Sequence, residues 1–218
     1  MNLEQINELT RIAYDKTAEK YHNQFKDEVA QKEFDRLILD KFSFLFDNHS
    51  TICDAGCGPS GHIGKYLADK GYRIIGIDIS QSCIDIATTY NPQIVFRTMD
   101  MAETDFANDF FDGIISYYSI IHTPKQFIHR IFAEFNRIIR QDGYLLVVVK
   151  KGTVEGFTED DWYEGNQIYF TCFVENEIKA YFEANGFRLD YLHTRKPYEF
   201  EIDTERIYAI GTKVLGVN

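Results

Sequence analysis

A glycine-rich turn between a short apolar strand and a helical pattern constrains this chain more than any other feature. The segment runs Thr51-Ile-Cys-Asp-Ala-Gly-Cys-Gly-Pro-Ser-Gly-His-Ile-Gly64. Glycines at 56, 58 and 61 permit positive φ angles, and their missing side chains let a ligand approach the backbone N–H groups. The pattern therefore predicts a strand–turn–helix unit that binds a nucleotide-type ligand at the turn.

The next strand pattern, from Tyr72 to Asp78, supports the same interpretation. Asp78 ends this strand twenty positions after Gly58, where a carboxylate can accept hydrogen bonds from a ribose diol. Residues 56–61 also satisfy the G-x-G-x-x-G pattern of dinucleotide-binding enzymes. An NAD(P)-dependent Rossmann oxidoreductase is therefore one hypothesis for this chain.

Strand and helix patterns alternate after the turn, which predicts a parallel sheet with helices on both faces. Helical spacing of apolar residues also covers Leu3 to about Tyr21 and Asp27 to Phe46, so amphipathic helices precede the sheet. Two final strand patterns, Phe187–His193 and Arg206–Thr212, predict an antiparallel hairpin. Between the N-terminal helices and this hairpin, we expect strands at 51–54, 73–78, 94–98, 112–117 and 143–150, and helices at 61–70, 80–90 and 124–140.

Length and charge limit the class of protein. A chain of 218 residues with 44% hydrophobic content can bury one sizeable core. We expect one domain over 1–218, with a helical cap at 1–48, a ligand-binding half at 49–150, and a substrate-side loop, a helix and the antiparallel hairpin at 151–218. The net charge of −11 argues against a nucleic-acid partner, because such binding needs clustered Lys and Arg.

Hydropathy and cysteine usage predict a cytoplasmic protein. No apolar segment approaches the roughly 20 residues that span a bilayer, and the first residues lack the basic and apolar regions of a signal peptide. The four cysteines show no C-x-x-C spacing and no accompanying His cluster, so we expect reduced thiols and no metal site.

Two further segments, Met99-Asp-Met-Ala-Glu103 and Phe111-Asp-Gly-Ile-Ile-Ser116, complete a recognisable set with the glycine turn. With them the chain resembles the class I S-adenosylmethionine (SAM) dependent methyltransferases, within the small-molecule group that includes ubiquinone and menaquinone biosynthesis enzymes. The resemblance runs from about Tyr14 to the C-terminus. It implies a Rossmann-like α/β sheet of seven strands in the order 3-2-1-4-5-7-6, with the last strand antiparallel. An NAD-type domain is not expected to end in this way.

The resemblance also implies residues for the cofactor SAM and its product S-adenosylhomocysteine (SAH). Asp54, Ala55, Gly56 and Gly58 match the positions that line the methionine end of SAM. For Asp54 the alternative is a helix-capping or turn role. The remaining positions are Asp78 for the ribose, Ile79 and Met101 for the adenine, and Asp100 rather than Glu103 for the adenine amine.

Aromatic residues are expected to complete this site. Tyr117 and Tyr118 end the fourth strand, at the edge where open α/β sheets bind ligands, and an aromatic face there can meet a sulfonium cation. Packing under a helix is the alternative. Tyr14 and Tyr21 are seven residues apart and share one helical face. We expect Tyr21 to cover the cofactor, whereas Tyr14 fits cofactor cover and core packing equally well.

His122 is the candidate catalytic base, since it follows the fourth strand in Ser119-Ile-Ile-His-Thr-Pro124 and an imidazole titrates near neutral pH. A structural or substrate-orienting role is the alternative. The aromatic segment 151–173 and the hairpin connection predict a partly apolar substrate pocket. Its candidate residues are Tyr118, Trp162, Tyr169 and Arg195.

These features together predict a methyltransferase that uses SAM to methylate an oxygen or nitrogen of a small molecule. An NAD(P)-dependent oxidoreductase and a SAM-binding protein without transfer activity are the alternatives.

Overall fold

The computed structural model describes residues 1–158 and 161–214 and is built around one large sheet. Its seven strands lie in the order β3-β2-β1-β4-β5-β9-β8, and β9 pairs antiparallel with both β5 and β8. The predicted order and the antiparallel last strands are therefore confirmed. The strands of this sheet are β1 (Thr51–Ala55), β2 (Arg73–Asp78), β3 (Val95–Thr98), β4 (Phe111–Tyr117), β5 (Ile139–Lys150), β8 (Phe187–Arg195) and β9 (Arg206–Lys213).

Helices precede the sheet and cover both of its faces. A capping box at the N-terminus of α1 satisfies two backbone donors, because Asn2 and Gln5 each accept from the other's backbone N–H. The predicted second N-terminal helix is interrupted, so that α2 and α3 form with Lys32 between them. The helices are α1 (Leu3–Phe25), α2 (Glu28–Gln31), α3 (Glu33–Ser43), α4 (His62–Ala68), α5 (Gln81–Tyr90), α6 (Lys125–Ile138) and α7 (Glu175–Ala184).

The central strands are buried on both faces, which explains why residues 145–149 form a continuous apolar run. One core cluster packs Phe132, Phe135 and Phe182 of α6 and α7 against the sheet. The other cluster packs Leu39 and Phe42 of α3 on the opposite face. The two clusters fix the sheet between helices and leave the carboxyl ends of β1, β2 and β4 at one edge.

One element was not predicted from the sequence. Strands β6 (Glu155–Thr158) and β7 (Ile168–Thr171) form a separate antiparallel hairpin within the segment that we expected to be a loop. Strand β6 contains a glycine and only one large apolar residue, so it lacks the alternation that identifies a strand.

Among the described residues, no helix is long and apolar enough to cross a membrane.

Candidate functional site

A cavity of about 740 Å³, counting the part that opens to solvent, lies at the carboxyl ends of β1, β2 and β4. This is where open α/β sheets bind ligands. Helix α1 forms the opposite wall. The residues predicted from the sequence that line the cavity are Tyr14, Tyr21, Gly56, Gly58, Asp78, Ile79, Asp100, Met101, Tyr117, Tyr118 and His122.

The glycine turn holds a shape that larger residues cannot adopt. Gly56, Gly58 and Gly61 all have positive φ, and a Cβ on Gly56 would lie 2.2 Å from the Cβ of Ser119. Three amides of the turn already have acceptors within the protein, however. Gly56 and Cys57 donate to the carbonyl of Ile77, and Gly58 donates to Asp78 Oδ2 at 2.9 Å. These amides therefore hold the turn against β2. The missing glycine side chains let a ligand approach the backbone of the turn closely.

Asp54 lies beneath the turn and is 1% exposed. Its Oδ2 accepts a hydrogen bond from the backbone N–H of Gly64 in α4 at 2.9 Å. Burial raises the pKa of Asp54 to about 6. The structure thus gives Asp54 the helix-holding contact that was the alternative to cofactor binding. Asp54 does line a smaller adjoining cavity, and neighbouring Ala55 is fully buried at the end of β1.

Asp78 ends β2 and lines the main cavity beside Ile79. Its carboxylate accepts from the backbone N–H groups of Ser80 and Gly58, each at 2.9 Å. Burial raises the pKa of Asp78 to about 6, although these backbone hydrogen bonds oppose the rise. An ionised carboxylate has about four acceptor positions, so it can bind a diol as well.

Asp100 is anchored from two sides just after β3. Its Oδ1 accepts from the Ala102 N–H at 2.8 Å, and its Oδ2 accepts from the Asn7 side-chain amide at 2.6 Å. Met99 and Met101 line the cavity beside it, whereas Glu103 lies outside the lining. Sequence reasoning missed Asn7. Its spacing from Tyr14 and Tyr21, which places all three on one face of α1, was the available indication.

His122 lies in a buried 3₁₀ turn after β4 and is 7% exposed. Its Nδ1 is 3.0 Å from the carbonyl oxygen of Tyr169, which can only accept, so Nδ1 carries the proton. Its Nε2 is 2.8 Å from the Tyr14 hydroxyl and accepts from it. Burial lowers the pKa of His122 to about 4, so the ring is neutral at pH 7.

This low pKa has a measurable effect on stability. Below about pH 6.5 the unfolded chain binds a proton at His122 that the folded chain does not bind, so the wild type loses stability as the pH falls toward 4. Asn at this position has no such proton. In urea unfolding, we expect His122→Asn to gain about 2 kcal/mol relative to the wild type between about pH 7 and about pH 5. A pH-independent difference would contradict the buried neutral state, and exposed His129→Asn is the matched control.

Two tyrosines end the fourth strand as predicted, but their settings differ. Tyr117 donates its hydroxyl hydrogen bond to buried Asp35 of α3, so only its ring faces the cavity. Tyr118 has a φ of 54°, a left-handed conformation that costs about 1–3 kcal/mol for a non-glycine residue. Such strain is concentrated at ligand sites, and Tyr118 lines both cavities.

Three residues expected in the substrate pocket lie outside the cavity lining. The Trp162 ring packs on Phe25 and on the Lys20 ammonium. Tyr169 reaches the site only through its backbone carbonyl, which accepts from His122. Arg195 is 9% exposed and pairs with Asp35 and Glu201. Arg195 was placed in the pocket from its position in the hairpin connection, and no local pattern indicates its buried partners.

A family model for a methyltransferase domain matches residues 53–147. N-demethylindolmycin N-methyltransferase of Streptomyces griseus is 39% identical over 66 residues, which cover 29% of this chain and 27% of that protein. A Bacillus subtilis protein named as a candidate 23S rRNA (guanine-N(1)-)-methyltransferase is 31% identical over 105 residues, or 46% of this chain and 34% of that protein. The chain thus spans about a quarter to a third of the length of these curated relatives.

A solved structure extends the likeness to nearly the whole chain. The 1,6-didemethyltoxoflavin-N1-methyltransferase of Burkholderia thailandensis, solved with 1,6-didemethyltoxoflavin and SAH, superposes with a TM-score of 0.76 at 15% identity. The match covers 98% of this chain and 91% of that chain. Residues 53–147 therefore resemble a methyltransferase domain, and the chain has the class I methyltransferase fold, as the resemblance implied.

The cavity fits the cofactor of this class. The carboxylates of Asp78 and Asp100, which both line the cavity, can accept from ribose hydroxyls and an exocyclic amine. Ile79, Met99 and Met101 supply apolar surface for a base between them.

Proposed function

We propose that this protein is a SAM-dependent methyltransferase that methylates an oxygen or nitrogen of a small molecule. The proposal rests on the observation that two different sets of polar side chains line one cavity. Asp78 and Asp100 lie on one side, and the hydrogen-bonded pair of Tyr14 and His122 lies on the other. The first suits an adenosine group, and the second suits a polar acceptor.

Bound SAM would supply a methyl group on a sulfonium that is already a good leaving group, so the protein's contribution is alignment and exclusion of water. Asp78 and Asp100 would hold the ribose and the adenine amine, with Ile79 and Met101 against the base. Tyr21 would cover the cofactor from α1, and the Tyr117 ring would face the sulfonium.

His122 is better suited to orientation than to storing a proton, because a group with a pKa of about 4 is a weak base at pH 7. Since Tyr14 donates to Nε2, the Tyr14 oxygen keeps lone pairs that can accept from an acceptor O–H or N–H. We therefore propose that His122 fixes Tyr14 and that Tyr14 meets the acceptor.

A small molecule is favoured over a nucleic acid as the acceptor. The chain carries a net charge of −11, and no Lys or Arg is among the residues found to line the cavity in the described part of the chain. A polyanionic substrate would need such groups near the site. The net charge of −11 also suits an enzyme of the cytoplasm.

Calorimetric titration with SAM, SAH and NADH in parallel tests the proposal. We expect micromolar binding of the two adenosyl ligands and no signal with NADH. Binding of NADH alone would overturn the proposal in favour of an oxidoreductase. If SAM binds, the release of SAH across a panel of phenols, amines and heterocycles then separates an enzyme from a protein that only binds SAM.

A further inference from the structure

A smaller cavity of about 320 Å³ adjoins the glycine turn on the side away from Asp100. Gly56, Gly58 and Tyr118 line both cavities, so the two spaces share a wall at the turn. Glu28 of α2 and His62 of α4 line only the smaller one. Glu28 lies outside the motifs found in the sequence, and His62 lies in the glycine-turn segment without an assigned role.

Glu28 is an ionised carboxylate with acceptor capacity to spare. Its Oε2 accepts from the Lys32 ammonium at 2.7 Å, and its Oε1 lies 2.9 Å from His62 Nε2. Burial alone would raise the pKa of Glu28, but the contacts with His62 and Lys32 outweigh burial and lower it to about 2. Two of about four acceptor positions on the carboxylate therefore remain for a ligand.

His62 lines the same cavity, and the described residues supply no partner for one of its ring nitrogens. An ionised Glu28 can only accept, so His62 Nε2 must donate to it. The other ring nitrogen, Nδ1, is buried and has no hydrogen-bond partner among the residues that the structure describes. The His62 side chain is 10% exposed. A buried polar atom without a partner is costly, and in the wall of a cavity it indicates that a ligand completes the pair.

We propose that Glu28 and His62 bind the α-ammonium group at the amino-acid end of SAM and SAH, an assignment that rests on the proposed function. If the adenosine group occupies the end at Asp78 and Asp100, the amino-acid group extends past the glycine turn to the smaller cavity. The ammonium there needs acceptors. Glu28 has acceptor positions to spare, and His62 Nδ1 can also accept when the donating Nε2 carries the only ring proton.

Titration of Glu28→Gln with two ligands tests this assignment. We expect SAH affinity to fall about tenfold or more, because a charge-assisted hydrogen bond is lost. 5′-Methylthioadenosine, which lacks the amino-acid group, should bind the variant within about twofold of its wild-type affinity. Glu33→Gln, at an exposed position in α3, is the matched control and should leave both affinities unchanged.

An equal loss for both ligands, or no loss for SAH, would overturn the assignment and leave the proposed function standing. If the wild type bound neither SAM nor SAH, the proposed function itself would fail, and the assignment with it. If the variant does not fold, a ligand analogue tests the assignment on the wild type instead. SAH in which hydrogen replaces the α-ammonium should bind about tenfold more weakly than SAH, and equal binding would overturn the assignment.

Discussion

Replacing Asp35 by Ala is expected to lower the free energy of unfolding by about 3–5 kcal/mol, the range for breaking a buried ion pair. Asp35 is fully buried in α3 and accepts from the hydroxyls of Tyr117 and Tyr208. Arg195 Nη2 lies 3.3 Å from its Oδ2. Removing the carboxylate leaves two hydroxyls and part of a guanidinium without their acceptor. Urea unfolding at pH 7 measures the loss.

Two further variants distinguish this network from a general effect of substitution. Asp35→Asn keeps the volume and one acceptor oxygen, so its loss should be smaller than that of Asp35→Ala. Asp47→Ala lies at an exposed position and should change stability by less than about 0.5 kcal/mol. A loss below about 1 kcal/mol in Asp35→Ala would show that the network contributes little to the fold.

Replacing Asp78 by Ala is expected to weaken SAH binding by about 100-fold or more. A carboxylate that takes both hydroxyls of a ribose makes two charge-assisted hydrogen bonds, each of about 1.5–3 kcal/mol. The substitution also removes the acceptor for the Gly58 and Ser80 amides, which loosens the turn. Calorimetric titration with SAH gives the change in affinity.

The control for Asp78 is an exposed carboxylate in α5, the helix that follows β2. Asp85→Ala removes an exposed carboxylate from α5 and should leave SAH affinity unchanged. Thermal melting of both variants separates loss of binding from loss of fold. If Asp78→Ala melts like the wild type and still binds SAH with unchanged affinity, the ribose assignment is wrong.

Local patterns were enough to predict the main sheet. The buried parallel strands have long apolar runs, and a glycine with positive φ marks the turn after β1, so the strands and the edge that carries the cavity could be predicted from these patterns, whereas the strand order was implied by the family resemblance. The hairpin of β6 and β7 was missed because its strands are short and carry no alternation. Its carbonyl at Tyr169 nevertheless sets which nitrogen of His122 carries the proton.

Roles that depend on distant partners could not be predicted in this way. Arg195 and Asp35 are 160 positions apart, and no local pattern shows that they meet. Asp54 matches a cofactor motif, but its carboxylate accepts from Gly64 because the strand end directs it beneath the turn. A sequence motif specifies the residue, whereas the direction of its side chain depends on packing that only the folded chain provides.

Helix α1 closes the cavity with little apolar area of its own. Its buried face consists largely of small or polar residues, including Thr10, Ala13 and Thr17. Its contacts with the loops beyond the sheet combine hydrogen bonds, such as Asn7 to Asp100, with aromatic packing of Phe25 on Trp162. Elements that bury little apolar area detach at lower free energy than core strands. We therefore expect α1 to open more often than the sheet, so that the rate of ligand exchange and the stability of the fold depend on different parts of the chain.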